Sequence, residues 1–193
     1  MTNLLLVDDG YQAAFSRDPM YRGGSVDMLK LRRMVERLYG KLNRAVVVTS
    51  LAGENQFNYH AWLKYEAGYE VVAKSQKSKW CPYCGNGIAV ERGVDVEIAT
   101  LAIKYAHLNK YDRLILFNGD ADLLAAVRYI RDDLGKEVIL IGSGNTTAKD
   151  MILYTDGLID LTAVDIAQEL YRERDDFGLC GASDGAGSGS TSV

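Results

Sequence analysis

The chain has 193 residues, of which 48% are apolar, and a formal net charge of −4. This length and apolar content predict one domain, because two domains would each have a marginal core. The acidic balance excludes a globally basic surface for nucleic acid, although a local basic patch remains compatible with it.

Short apolar runs alternate with helical patterns, and glycine-bearing turns connect them. Such alternation predicts an α/β fold: a three-layer α/β/α sandwich whose central, mostly parallel sheet has five or six strands. The predicted strands are residues 3–7, 45–49, 69–73, 113–117 and 137–141, with a further apolar segment at 157–161. The first predicted helix has Ser25 as its N-cap and ends at Gly40. Five further helices are predicted at residues 57–67, 94–108, 122–134, 148–154 and 163–172.

The domain is predicted to cover residues 1–172, with a Cys-x-x-Cys loop at 74–92. Residues 173–193 are rich in glycine and serine, which predicts a disordered tail. The apolar run before the first acids, Leu4 to Val7, has only four residues, which is too few for a signal peptide or a membrane span. With three cysteines and no disulfide framework, we expect a cytoplasmic protein without membrane contact.

Five aspartates follow predicted strands or begin a predicted helix. Asp8 and Asp9 end the first strand, Asp120 and Asp122 follow the fourth, and Asp95 lies in the first turn of the helix at 94–108. Because the carboxyl ends of parallel strands share one edge of a sheet, these acids should converge there. Each acid taken alone is also compatible with a helix cap or a turn.

A convergent group of carboxylates without histidine suits Mg²⁺ or Mn²⁺ better than Zn²⁺. One or two such ions can activate water and stabilise the leaving oxygen in phosphodiester hydrolysis, so no histidine or serine nucleophile is needed. The only two histidines, His60 and His107, are distant from the acidic motifs in sequence. The five aspartates therefore predict a Mg²⁺ or Mn²⁺ site.

The loop after the third strand carries Lys74, Lys77, Lys79 and Trp80 within seven residues. Lysines can hold phosphates while an aromatic ring stacks on an unpaired base, which is a common way of binding single-stranded RNA. These four residues are therefore candidates for substrate binding. An ordinary solvated loop is the alternative.

The same loop contains Cys81-Pro82-Tyr83-Cys84-Gly85. This spacing is typical of one half of a zinc site, but tetrahedral zinc needs four ligands. A homodimer could supply a second pair, and Cys180 or His107 are distant candidates. A redox pair and an ordinary turn with two thiols remain open alternatives for Cys81 and Cys84.

Six short motifs resemble, in order, those of the NYN domain family of PIN-like nucleases, across about residues 3 to 161. The resemblance implies a PIN-like fold and a ribonuclease that depends on Mg²⁺ or Mn²⁺. The motifs are Val7-Asp-Asp-Gly-Tyr11, Gly68-Tyr-Glu-Val71, Arg92-Gly-Val-Asp-Val96, Asn118-Gly-Asp-Ala-Asp-Leu123, Gly135-Lys-Glu-Val138 and Thr155-Asp-Gly-Leu-Ile-Asp-Leu161.

The resemblance also implies which acids act. The family's first-strand acid falls on Asp8, or on Asp9 in the alternative alignment that sets Gln12 in place of an asparagine. Its remaining acids fall on Asp95, Asp120 and Asp122. Many members carry another aspartate where this chain has Leu101, and Glu97 lies on a different helical face, so it could compensate only in part.

The sequence thus predicts an endoribonuclease acting on single-stranded RNA through Asp8, Asp95, Asp120 and Asp122. A catalytically weak or inactive module that binds RNA or a protein partner is the alternative, because of Leu101. A small-molecule phosphatase could use the same carboxylates but would not need the lysine and tryptophan loop.

Overall fold

The computed structural model of the chain describes residues 1–15, 18–22, 24–51, 56–75, 77–81, 83–85, 87–90 and 93–173. Its centre is a six-stranded sheet in which every neighbouring pair is parallel. In spatial order the strands are β4 (Glu70–Ser75), β3 (Leu42–Leu51), β1 (Asn3–Asp8), β7 (Arg113–Phe117), β8 (Glu137–Gly142) and β9 (Gly157–Asp160). The predicted parallel sheet is confirmed.

Seven α-helices in the described part of the chain connect and cover these strands. They are α1 (Asp9–Ala14), α2 (Met28–Tyr39), α3 (Gln56–Tyr65), α4 (Val94–His107), α5 (Leu124–Arg128), α6 (Lys149–Leu153) and α7 (Val164–Leu170). The predicted helix at 122–134 consists of three parts, a 3-10 turn at Ala121–Leu123, α5, and a π-helical segment at Tyr129–Asp133.

The side chains of β1 alternate between two apolar cores, one on each face of the sheet. Leu5 and Val7 pack with residues of α2, α3 and α7, while Leu4 and Leu6 pack with residues of α4, α5 and α6. A strand buried on both faces reads as a continuous apolar run, which explains the Leu-Leu-Leu-Val sequence. The two cores confirm the three-layer α/β/α sandwich.

Two small antiparallel ribbons were not predicted. In one, β2 (Gly24–Val26) pairs with β10 (Tyr171–Glu173); in the other, β5 (Lys77–Trp80) pairs with β6 (Gly87–Val90). The assignment of Ser25 as a helix N-cap was therefore wrong. Asp27 is the N-cap of α2, because its Oδ1 accepts hydrogen bonds from the backbone N–H groups of Leu29 and Lys30, at 2.9 and 3.0 Å.

Within the described residues, no helix is long and apolar enough to cross a membrane. The predicted disordered tail falls, from residue 174 onwards, outside the described part of the chain. The domain boundary at residue 172 remains a prediction.

Candidate functional site

Asp8 is the last residue of β1 and is only 8% exposed. Its Oδ1 accepts hydrogen bonds from the backbone N–H groups of Gly10, at 2.8 Å, and Tyr11, at 3.2 Å, in the first turn of α1. Its Oδ2 accepts a hydrogen bond of 2.8 Å from Asn118 Nδ2. The strand end and these donors fix the orientation of the carboxylate.

Asn118 follows β7 directly and is fully buried. Because Val7 and Phe117 are partners in the parallel register, the residues after them, Asp8 and Asn118, emerge side by side. Asn118 Nδ2 also points to Asp95 Oδ1 at 3.4 Å, while its Oδ1 accepts a 2.6 Å bond from the backbone N–H of Asp120. One amide therefore links three of the predicted acidic positions.

Asp120 and Asp122 lie on the exposed turn that follows Asn118. Asp120 is the N-cap of this 3-10 turn, and its Oδ1 accepts a hydrogen bond of 3.0 Å from the backbone N–H of Asp122.

The carboxyl group of Asp95 has a raised pKa, because the side chain is partly buried and, as the second cause, because Asp120 is negatively charged. The hydrogen bond from Asn118 opposes this shift, and the charge of Asp122 adds to it. Repulsion of this kind makes the site attractive to a cation.

These side chains surround a cavity of about 300 Å³ at the carboxyl edge of the sheet. A neighbouring cleft of about 590 Å³ shares Asp95 and also contacts Asp122, with Val96, Ala99 and Ile103 forming an apolar wall beside Lys104. The structure thus brings Asp8, Asp95 and Asp120 to one cavity. The lining of the cavity is Asp8, Gly10, Tyr11, Gly93, Val94, Asp95, Asn118 and Asp120.

Asp9 has different surroundings. Its Oδ2 accepts a 2.8 Å hydrogen bond from Thr49 Oγ1, and its Oδ1 accepts a 3.0 Å bond from Tyr59 Oη. Burial raises the pKa of Asp9, although these two hydrogen bonds oppose the shift. The structure places this carboxylate among β3 and α3 side chains, and Asp9 does not line the acidic cavity.

Tyr11 forms one wall of the cavity and was missed by reasoning from sequence. Its hydroxyl lies 3.0 Å from the hydroxyls of both Thr146 and Thr147, in the turn between β8 and α6. Burial raises the pKa of Tyr11, and the charges of Asp8 and Asp120 add to this effect. The phenol therefore stays protonated at neutral pH. The aromatic residue in the first motif was the only sequence signal for it.

The oxygen donors around the cavity are chemically suited to Mg²⁺ or Mn²⁺. Yet among the residues described here, no group of three or more histidine, cysteine, aspartate or glutamate side chains is arranged so that it could hold a metal ion. The Asn118 amide lies between Asp8 and Asp95 instead. Binding an ion would require side-chain adjustment at the cavity.

Leu101, where many family members carry an acid, is 8% exposed and belongs to the apolar core between α4 and the sheet. Glu97 lies 2.5 Å from Lys74 Nζ, so its carboxylate is engaged in an ion pair. Leu101 is therefore a packing residue in this chain. Glu97 does not replace the missing acid in this arrangement.

The four predicted RNA-binding residues do not share one loop, because Lys74 lies in β4 while Lys77, Lys79 and Trp80 lie in β5 of the β5–β6 ribbon. The side chains of Lys77, Lys79 and Trp80 lie outside the described part of the structure, so their role remains a prediction. Cys81 and Cys84 are free thiols in the turn of the ribbon. Hydrogen bonds from the backbone N–H groups of Cys84 and Tyr83, and from the Cys84 side chain, lower the pKa of Cys81.

A solved structure with the same fold is a protein of unknown function from Vibrio parahaemolyticus. It has a TM-score of 0.67 and 19% sequence identity, and the alignment covers 88% of this chain and 96% of that chain. A structure of Sir2 enzymes aligns over 87% of this chain and 91% of that chain, but its 13% identity and TM-score of 0.42 are too low to indicate a common fold. Comparison with curated proteins gives no match.

The profile of the NYN domain matches residues 6–162, which include the end of β1, all of α4 and β7, and every acid of the candidate site. The motifs that resembled this family therefore lie on the elements that build the cavity. The chain belongs to the NYN domain family, a group of PIN-like nucleases.

Proposed function

We propose that this protein is a ribonuclease that depends on Mg²⁺ or Mn²⁺ and cleaves single-stranded RNA at the acidic cavity. The observation that carries the proposal is the convergence of Asp8, Asp95 and Asp120, from three separate segments, on one cavity of about 300 Å³. Acids that repel one another at the carboxyl edge of a parallel sheet are typical of a functional site rather than of a stable core.

Asp8, Asp95 and Asp120 would hold the cation, with Asp122 at the edge of the neighbouring cleft. When bound, the ion would activate water and stabilise the charge that develops on the phosphodiester. Asn118 orients Asp8 and Asp95 through its amide. Asp120 is exposed and so accessible from solvent.

The cleft beside the cavity supports a path for the RNA strand. Its apolar wall of Val96, Ala99 and Ile103 could face a base, and Lys104 could neutralise a phosphate. Lys74 is paired with Glu97 and would have to exchange that partner for a phosphate. Among the lysines whose side chains the structure describes, Lys104 is therefore a better candidate than Lys74 for binding an RNA phosphate.

The test is cleavage of a single-stranded RNA oligonucleotide in a titration with Mn²⁺ or Mg²⁺. We expect Asp120→Asn to lower the cleavage rate by more than about 100-fold, because loss of a metal ligand should exceed the 10–100-fold effect of losing a residue that only orients one. EDTA should abolish cleavage by the wild-type protein.

Asp132→Asn is the matched control for this variant. Asp132 is exposed and lies at the opposite edge of the sheet, beside Glu137 at the start of β8. The control should cleave RNA at the wild-type rate. Equal cleavage by Asp120→Asn and the wild-type protein would contradict the proposal.

A catalytically inactive module that binds RNA is the second candidate. Two observations favour this function. Within the described ranges, no three acidic side chains are arranged so that they could hold an ion. Leu101 is an apolar core residue at the position where many family members carry an acid. In that case the wild-type protein would bind RNA equally well with EDTA or Mn²⁺ and would not cleave it under any divalent ion. Binding measured beside cleavage on the same oligonucleotide separates the two functions.

A further inference from the structure

The β5–β6 ribbon presents two cysteines in one tight turn. The strands pair antiparallel up to Trp80 and Gly87, and Cys81, Cys84 and Gly85 lie in the turn between them. The backbone N–H of Gly85 donates a 3.0 Å hydrogen bond to the Cys81 carbonyl. Gly85 has a φ of +67°, a conformation that side chains other than glycine rarely adopt. The hydrogen bond from Gly85 closes a turn that contains both cysteines.

Both cysteines of this turn are free thiols. The deprotonated thiol is the form that binds metals. Cys84 is exposed, so a ligand can reach the pair from solvent. The turn therefore presents two preorganised sulfur ligands rather than two isolated thiols.

Two thiolates are half of a tetrahedral zinc site, and the missing half must come from elsewhere. In the described part of the chain, no third cysteine, histidine, aspartate or glutamate completes a metal group with them. Tyr83, between the two cysteines, is 97% exposed. A symmetric dimer would bring two identical turns together, supplying two further thiolates and covering this ring.

We propose that the Cys81–Cys84 turns of two copies of this chain bind one Zn²⁺ ion between them, with four thiolate ligands. Each thiol releases its proton to solvent as it binds, and the four thiolates with Zn²⁺ carry a net charge of −2. Lys77 and Lys79 precede Cys81 in sequence and can offset that charge. The site is distinct from the acidic cavity and does not depend on the proposed nuclease activity.

The test uses the full chain, purified with a phosphine reductant and dialysed against limiting Zn²⁺. We expect one zinc ion per two chains by elemental analysis and a dimer by light scattering, which a chelator converts to a monomer. The double variant Cys81→Ser/Cys84→Ser should be a monomer without this zinc, with an unchanged far-UV circular dichroism spectrum. Any zinc that remains bound to this double variant is bound elsewhere, for example at the acidic cavity.

Cys180→Ser is the matched control, since Cys180 is the only other cysteine in the chain. It should keep both the zinc and the dimer. Loss of zinc in Cys180→Ser, one zinc per monomeric chain, or no zinc dependent on Cys81 and Cys84 would each overturn the proposal. A dimer that persists in the double variant would overturn it as well.

Discussion

At the scale of single residues, the acidic cavity depends on the buried amide of Asn118. Its two polar atoms contact the Asp8 carboxylate, the Asp95 carboxylate and the backbone of Asp120. A carboxylate at this position would add a charge among three acids, and an apolar side chain would leave buried polar atoms without partners. The amide is the side chain that holds these acids together without adding to their repulsion.

The charge of Asp95 should make the stability of the protein depend on pH. Its pKa is raised in the folded protein by burial and then by Asp120, so the folded state binds this proton more tightly than the unfolded chain does. Stability from this group is therefore lost as pH rises through the folded pKa. In EDTA at pH 7, Asp95→Asn should be more stable than the wild-type protein, since asparagine removes the charge and retains a carbonyl oxygen for Asn118.

This difference should close as the pH falls to about 4, near the pKa of an unperturbed aspartate, because wild-type Asp95 then becomes protonated. Urea unfolding at the two pH values measures it. Saturating Mn²⁺ at pH 7 should reverse the order, since only the wild-type protein keeps the full set of ligands. A variant that is less stable than the wild-type protein at pH 7 in EDTA would contradict this prediction.

At the scale of elements, the turn after β7 packs closely against α1 and the β8–α6 turn. A Cβ atom on Gly119 would lie 2.4 Å from Tyr11 Oη and 2.8 Å from the backbone Cα of Thr147. Since the backbone atom cannot move away alone, we expect Gly119→Ala to cost about 1–3 kcal/mol of unfolding free energy.

Gly144→Ala is the control for this prediction, because it lies in the β8–α6 turn and a Cβ there meets nothing within 4 Å. Its effect should stay within about 0.5 kcal/mol. Urea unfolding of both variants measures the difference. If Gly119→Ala and Gly144→Ala were equally stable, the close packing of these three segments would not contribute to the stability of the fold.

Helix α4 supplies the next prediction, at Leu101. Leu101→Asp should not create a metal ligand, because the side chain lies in the core beneath α4. It should destabilise the protein by at least about 2–5 kcal/mol through lost packing and a buried carboxylate. Thr100→Asp, at the exposed neighbouring position, should unfold close to the wild-type midpoint. Stronger Mn²⁺ binding by Leu101→Asp would contradict this assignment.

Sequence patterns identified the elements that have strong periodicity. The predicted strand at 113–117 has the observed bounds, and the helix at 94–108 differs by one residue. The ribbons β2–β10 and β5–β6 were missed because each strand has only three or four residues, and tertiary contacts define them. The 3-10 and π segments around α5 were missed because their apolar spacing resembles that of an α-helix.

The acidic site could be predicted only in part, because some of its contacts depend on residues that are distant in sequence. Parallel strands made the convergence of Asp8, Asp95 and Asp120 predictable from topology alone. The separation of Asp8 from Asp9 was not, because it depends on Thr49 and Tyr59, which are distant in sequence. Asn118 was read as part of a motif only, since an asparagine after a strand is also typical of a turn.

At the scale of the whole molecule, two apolar cores hold six strands so that acids from separate segments meet at one edge of the sheet. Burial of Asp95 and its repulsion by Asp120 oppose folding, and the cation of the proposed function would compensate this repulsion. Metal binding and folding should therefore be coupled across the domain, since an ion that binds only the folded state stabilises the whole cooperative unit.

The last prediction follows from this coupling. At a Mn²⁺ concentration of 100 times its dissociation constant, the folded state should gain about 2.7 kcal/mol. For a domain of this size, that corresponds to an increase in Tm of roughly 5–10 °C. Calorimetry with Mn²⁺ and with EDTA measures the shift.

Asp120→Asn should lose this shift, while Asp9→Asn should retain it, because Asp9 bonds to Thr49 and Tyr59 away from the cavity. The double variant Cys81→Ser/Cys84→Ser should also retain it, since the turn between β5 and β6 is a separate site. If Mn²⁺ leaves the Tm of the wild-type protein unchanged, the domain does not bind the ion and the non-catalytic RNA-binding module becomes the better description. If Asp9→Asn loses the shift as Asp120→Asn does, while Asp8→Asn retains it, the alignment that selects Asp9 instead of Asp8 is correct.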